Sequence, residues 1–236
     1  MRSGSTLLKA LLAKAPDVSN LSEVNFQQFA DRQSAIQKMW QLDSRPILVL
    51  KRPAWYHEVA MYPRLPEVPC RKVILLVRDA YDTVESLRKM TFGRAAGWMR
   101  PLVDGWLAKR YWVGVNQRLS ELRNELGDQA HLVRYEDLVS RPIDMTRELF
   151  QFIGSEQTEG VDTYDEPENR RWRWGSDDGS PIIRSLRVLP LREKPRDNQQ
   201  LQNLICKDHR IVDLRQRLGY RSSIHHIELP REKTQR

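Results

Sequence analysis

Residues 72–77 read Lys-Val-Ile-Leu-Leu-Val and run directly into Arg78-Asp79. Five consecutive β-favouring apolar side chains do not alternate with polar ones, so both faces of such a strand need cover. That is the signature of a parallel sheet with helices on each side. The remaining pattern fits around it. Ile47–Leu50 after Pro46 and His131–Tyr135 read as further strands, and 18–21 as a short one. A helix is expected over 4–15, where Leu7, Leu8, Leu11 and Leu12 share a face before Pro16-Asp17. Others are expected from about Glu23, capped by Ser22, to Trp40; over Asp79–Met90; and over Pro142–Ile153, closed by Gly154. A long helix over 101–126, with Leu102, Trp106, Leu107 and Leu119 among its apolar positions, has Gly127 just past its end. Leu201–Leu218 reads as one final amphipathic helix stopped at Gly219, and 155–200 as loops with short helices. The expected class is α/β: three layers, with a central, mostly parallel sheet flanked by helices.

The chain has 236 residues, 40% of them hydrophobic, enough for one full core and not two. A single domain over 1–236 is expected, with 221–236 as a loosely ordered polar tail. No apolar run approaches the ~20 residues of a membrane-spanning helix, and no signal-peptide pattern opens the chain. No membrane is expected as a partner of this chain. Cys70 and Cys206 are the only cysteines and show neither metal spacing nor a disulfide framework. That points to a reducing cytoplasm, and it leaves room for an anchor upstream of Met1. No histidine pair has metal-ligand context, so no metal is expected.

A net charge of +8 draws anions without choosing among them. The basic residues are scattered and form no nucleic-acid arm. Arg170, Arg171 and Arg173 alternate with Trp172 and Trp174, a mixture that can hold single-stranded nucleic acid. Here it reads better as a substrate-binding or core-edge loop, and no nucleic-acid partner is expected.

Met1-Arg2-Ser3-Gly4-Ser5-Thr6 leads straight into the first helix. Small residues at a helix start leave backbone N–H groups outward, and the helix dipole adds positive potential there, which together cradle phosphate or sulfate. The nucleotide-hydrolysing P-loop carries Gly-Lys-Ser/Thr at that point. Gly4-Ser5-Thr6 occupies it here without the lysine. Such a loop should be a poor ATPase and must draw positive charge from elsewhere, with Arg2 nearest. The plain alternative is an N-terminus that merely caps a helix. A P-loop normally follows a buried strand. The chain starts where the loop does, so an incomplete start, lacking that first strand, is expected.

Arg78 ends the 72–77 strand, and Ser86 follows eight positions later on the next helix. A guanidinium fork and a neutral hydroxyl can converge there on one phosphate, at the carboxyl end of a strand where ligands of open α/β sheets bind. The plain alternative is an Arg–Asp surface pair beside a solvated serine.

Taken together, these segments resemble the sulfotransferases of the P-loop fold. Arg2-Ser3-Gly4-Ser5-Thr6-Leu7-Leu8 resembles their 5′-phosphosulfate loop, and Arg78-Asp79 with Ser86 resembles their 3′-phosphate motif. Arg134-Tyr135-Glu136-Asp137-Leu138 is similar to a family segment, as are the helix end Phe150 to Gly154 and Leu218-Gly219-Tyr220. The motifs come in the family's order over roughly 1–154. The resemblance implies a donor, 3′-phosphoadenosine 5′-phosphosulfate (PAPS), and no metal. Arg2, Ser3, Gly4, Ser5 and Thr6 would hold its 5′-phosphosulfate, Arg78 and Ser86 its 3′-phosphate, and Tyr135 would lie near the adenine. Ser185 and Lys194 would be late donor contacts. Ala80 stands where the family usually has proline after Arg-Asp. Met90, with Arg88 and Lys89 beside it, stands where many relatives carry a further basic residue.

Transfer to an acceptor needs a base, a role worth typically 10²–10⁴-fold. The histidine of small-molecule relatives falls on Pro53 here, in Lys51-Arg52-Pro53, with His57 and Glu58 a few residues on. The pattern Pro16-Asp17-Val18 through Ser22-Glu23 resembles instead the tyrosylprotein and carbohydrate enzymes. That makes Glu23 the expected base, with Lys51 stabilising the leaving phosphate. The plain alternatives are a first-turn helix glutamate favoured by the dipole and a solvated strand-end lysine. The acceptor would be a glycan, a peptide tyrosine or a small hydroxyl compound. Two other classes remain: a P-loop nucleotide kinase or NTPase, and a non-catalytic, truncated sulfotransferase-like binding protein.

Overall fold

The computed structural model describes residues 3–21, 32–51, 71–92, 97–166, 183–191 and 196–220. The first helix, α1 (Ser5–Leu12), starts at Gly4, whose φ of 91° only glycine adopts readily. α1 is shorter than the 4–15 expected, because residues 13–17 turn toward Val18. Val18 makes a parallel bridge with Ile47, where strands over 18–21 and 47–50 were expected. Ile47 donates to the Asp17 carbonyl at 3.1 Å and Ser19 to that of Ile47 at 2.8 Å. The Ser19 hydroxyl then takes the Val49 N–H at 3.2 Å, where a ladder would use a carbonyl. α2 spans Arg32–Leu42.

β1 (Val73–Val77) is the apolar run that constrained the fold. It is followed by α3 (Ala80–Phe92), for which Asp79 is the cap, its carboxylate accepting the Tyr81 N–H at 3.0 Å. The helix expected over 101–126 is present in three joined pieces. These are α4 (Arg100–Trp106), a π-helical turn over Leu107–Trp112, and α5 (Val113–Leu126). The π turn rotates the face that follows it. Leu107, Tyr111, Trp112 and Leu119 are buried, whereas Leu102 and Trp106 on the preceding piece face solvent. Gly127 ends α5 as expected.

β2 (Ala130–Arg134) pairs in parallel with β1, Val73 opposite Ala130 and Val77 opposite Arg134. Tyr135 therefore does not close this strand; it opens α6 (Tyr135–Ser140), since its position faces the end of β1 and the ladder stops there. α7 (Pro142–Ile153) ends at left-handed Gly154. The single helix expected over 201–218 is instead two, α8 (Gln199–Lys207) and α9 (His209–Arg217). Asp208 is extended between them and caps α9 through the Arg210 N–H at 3.1 Å.

The β1–β2 sheet separates two apolar clusters. One holds Leu75, Val77, Trp112 and Leu119 with Ile205 and Ile211 from the last two helices. The other packs Leu7, Leu11 and Leu12 of α1 against Val133, Leu149 and Phe150. Helices thus cover a parallel sheet on both sides, as the unalternating strand required. The carboxyl ends of β1 and β2, at Val77 and Arg134, lie side by side.

Candidate functional site

Four segments meet at those strand ends. Gly4 begins α1 with no side-chain cap, so the first-turn N–H groups of that helix keep their anion-binding potential. The ring of Tyr135 lies directly on Gly4: a Cβ there would be 2.6 Å from Cε2 of Tyr135 and nearer still to Cδ2. On the same tyrosine, the Arg78 guanidinium carbon stands 4.4 Å from the ring centroid, a cation–π distance. The fourth segment is the 47–51 stretch, whose Lys51 reaches the Thr6 hydroxyl at 3.4 Å. Loop, arginine and lysine therefore belong to one constellation, the arginine joined to the loop through the Tyr135 ring and the lysine through Thr6.

The backbone beneath Arg78 is held closely. Its carbonyl accepts the Trp112 indole N–H at 3.0 Å, and the Asp79 N–H donates to Glu136 Oε1 at 2.9 Å. Glu136 Oε2 accepts the Tyr220 hydroxyl at 3.0 Å. The Asp79 carboxylate is buried and paired with Arg215 at 3.0 Å and with Arg196 at 3.5 Å. Burial raises the Glu136 carboxyl above its ordinary value, against the hydrogen bonds that favour its charge. Burial, with the Glu136 charge beside it, also raises the Tyr220 phenol. Arg134 binds Asp137 at 2.6 Å, donates to the Gly219 carbonyl, and stands 5.6 Å over the Tyr220 ring. The Arg134–Leu138 segment and the Leu218-Gly219-Tyr220 end are thus two halves of one contact.

The remaining expected residues lie as follows. Ser3 and Ser5 flank Gly4 and are half-buried. Ser86 is half-buried on α3, six residues past its start, roughly 9 Å along the axis. Ser185 donates to the Arg187 carbonyl at 3.0 Å and bonds Tyr164, a buried phenol pushed up by burial and set in the apolar cluster that Tyr135 packs against. Ser185 therefore approaches the site through Tyr164. Arg88 and Lys89 are committed to Glu85, at 2.5 and 2.7 Å, and buried Arg88 also faces Asp104 at 3.2 Å. Arg2, Glu23, His57, Glu58 and Lys194 lie outside the described residues, as do Cys70, the 170–174 cluster and the 221–236 tail. Leu21, two residues before Glu23, is held on α1 by buried Lys9, which donates to its carbonyl. Trp112, Tyr164 and Lys9 carried no signal in the sequence; each read as an ordinary helix or loop residue.

A family model described as the sulfotransferase family matches residues 25–159, more than half of the chain. The chain belongs to the sulfotransferase family. The match takes in Lys51, Arg78, Ser86 and Tyr135; residues 2–6 lie ahead of it. No curated protein matches the chain. Among solved structures, this sulfotransferase is similar to a sulfotransferase domain from the curacin biosynthetic pathway. The identity is 20% and the TM-score 0.51, over 93% of this chain and 95% of that one. At that identity the likeness speaks for the fold, an α/β architecture with a parallel sheet. Among the described residues no helix of this sulfotransferase is long and apolar enough to cross a membrane, and no group of His, Cys, Asp and Glu could hold a metal ion.

Proposed function

We propose that this sulfotransferase moves a sulfuryl group from PAPS to a hydroxyl or amine of its acceptor. The observation that carries the reading is the Gly4–Tyr135–Arg78 stack. It brings an uncapped helix start and an arginine against the same ring. A nucleotide that is anionic at both its 5′ and 3′ ends suits that pairing.

The donor set fits such a ligand. First-turn amides of α1, with Ser3, Ser5 and Thr6, offer neutral donors for the phosphosulfate, and Arg2 would add charge. Arg78 offers a charged fork for the 3′-phosphate, with Ser86 as a neutral partner. Tyr135 presents its ring beside the purine, and Ser185 and Lys194 complete the donor side. Lys51, at the loop through Thr6, is suited to the charge that builds on the leaving phosphate oxygen. Glu23 would take the acceptor's proton as the acceptor oxygen or nitrogen bonds to sulfur and the sulfur–phosphate oxygen bond breaks. The bond's electron pair then stays on the phosphate. The donor supplies the activated sulfuryl group; the chain supplies position, charge and a base. Acceptors of the glycan, peptide-tyrosine or small hydroxyl classes fit this chemistry equally.

The test is a pair of variants. Arg78→Ala should weaken adenosine 3′,5′-bisphosphate binding more than tenfold by calorimetry; unchanged affinity removes Arg78 from the donor site. Glu23→Gln should bind the same ligand normally and lose ~10²–10⁴ in turnover of radiolabelled PAPS. Wild-type turnover in that variant moves the base to His57 or Glu58.

A further inference from the structure

The amide joining Arg78 to Asp79 is gripped at both ends. Its carbonyl takes the Trp112 indole N–H at 3.0 Å and, more weakly, the Thr83 hydroxyl at 3.4 Å. Its N–H goes to Glu136 at 2.9 Å. One peptide unit is planar, so holding both ends fixes its plane, and with β1 held on the other side the direction of the Arg78 Cα–Cβ bond is restricted. An arginine is a long lever, and a small rotation at its Cα is magnified at the guanidinium.

Both grips depend on unusual local features. Trp112 closes the π turn, where the Val113 N–H reaches back five residues to Ala108. Such single turns inside α-helices cluster at functional sites. Without the extra residue, every later side chain on the helix would be rotated by about 100°, and the indole would not meet Arg78. Glu136 is half-buried, and the desolvation of its carboxylate is a cost. Its second oxygen is held by Tyr220, itself buried, whose ring lies under Arg134. A fold needing only a filled gap would use apolar side chains at both places. Neither Glu136 nor Tyr220 is required by the transfer chemistry.

We infer that Trp112 and Glu136, the latter braced by Tyr220, are positioning residues that aim Arg78 at the 3′-phosphate of the donor. This rests on the donor reading given above. It assigns the last helix's end a role in donor recognition: the Leu218-Gly219-Tyr220 turn fixes Glu136, Glu136 and Trp112 fix the amide, and the amide fixes the arginine.

The readout is discrimination between adenosine 3′,5′-bisphosphate and adenosine 5′-monophosphate, which differ by the 3′-phosphate alone. Calorimetric affinities for both are compared in the wild type, Arg78→Ala, Tyr220→Phe and Trp112→Phe. Tyr220→Phe keeps the ring and loses one hydrogen bond, so it guards against a Trp112→Phe protein that folds poorly. The expected result is a wild-type preference for the bisphosphate that Arg78→Ala abolishes. Tyr220→Phe and Trp112→Phe should each reduce it by about three- to tenfold, with monophosphate affinity kept. A merely structural role would weaken both ligands together and leave the ratio unchanged, which overturns the inference. Preference lost in Arg78→Ala but intact in both brace variants overturns it alone. A wild type that does not distinguish the two ligands removes the donor reading and this inference with it.

Discussion

The two ends of the site are built from different materials. At the loop end the working groups are backbone amides and one glycine: α1 has no side-chain cap, and among the described residues Tyr135 lies on Gly4 and Lys51 meets Thr6 at 3.4 Å. At the arginine end the Arg78 carbonyl and the Asp79 N–H are tied by side chains from the π turn and α6, and the C-terminal segment braces them through Tyr220 and Arg215. The loop end depends on a conformation that few residues can adopt. The arginine end depends on hydrogen bonds that many residues must supply together. Damage at the arginine end should therefore lower stability, whereas damage at the loop end should lower binding with less effect on stability.

The largest expected effect tests the arginine end. Arg215→Met leaves the Asp79 carboxylate buried, with Arg196, at 3.5 Å, as its remaining charged partner among the described residues. Breaking a buried pair by removing one partner costs about 3–5 kcal/mol; the second arginine should keep the loss near the lower figure. Thermal unfolding should show it as a clear fall in melting temperature. A melting temperature within a degree or two of wild type would mean that the arginine end is no more side-chain-dependent than the loop.

Next in size is the loop end. Gly4→Ala puts a Cβ at a φ of 91° and against the Tyr135 ring that carries Arg78. A left-handed non-glycine costs about 1–2 kcal/mol, and the ring must also move. Adenosine 3′,5′-bisphosphate should bind about tenfold or more weakly, with a smaller drop in melting temperature than Arg215→Met gives. Gly154→Ala is the control. Its φ is 76°, but no atom lies within 4 Å of the added Cβ, so it should show the backbone cost without any change in binding. Equal binding losses in the two variants would mean that the Tyr135 contact is irrelevant.

That difference in materials also decides what could be read from the sequence. The loop, the strand into Arg78-Asp79 and the segment from Arg134 are contiguous patterns, and each was legible from its own residues. The contacts that fix Arg78 are not contiguous. Glu136 and Tyr220 are 84 positions apart, Trp112 and Arg78 34 apart, and periodicity carries no information about such pairs. The π turn hides in the same way, because Leu107–Trp112 has a helical composition and only packing shows the extra residue. Its result is that Leu102 and Trp106, which fit the apolar stripe, face solvent while Tyr111 and Trp112 are buried. Asp208 sits inside the amphipathic run 201–218, where a single aspartate fits a solvent face, so the pattern by itself shows one continuous helix. It is instead a cap, and the break lets α9 place Arg215 beside Asp79.

The smallest effect separates the two ends by pH. Burial raises the Glu136 carboxyl, with the charge of Asp79 adding to it. The groups facing it are the Tyr220 hydroxyl, the Asp79 N–H and the Asp79 carboxylate with its partners Arg215 and Arg196; Arg134 adjoins through the Tyr220 ring. A carboxyl raised in the folded state holds its proton more tightly there than in the unfolded chain. Its contribution to stability is therefore greatest below the ordinary carboxylate range. It declines as pH rises from that range through the raised value, and is flat above. Glu136→Gln is neutral at every pH and should remove that declining limb. The stability difference between wild type and variant, from denaturant unfolding between about pH 4 and 8, should move against the wild type as pH rises. A difference independent of pH would mean that Glu136 ionises as easily in the fold as outside it. The dense hydrogen bonding at the arginine end would then fully offset the cost of burial, and the contrast with the loop end would rest on geometry alone.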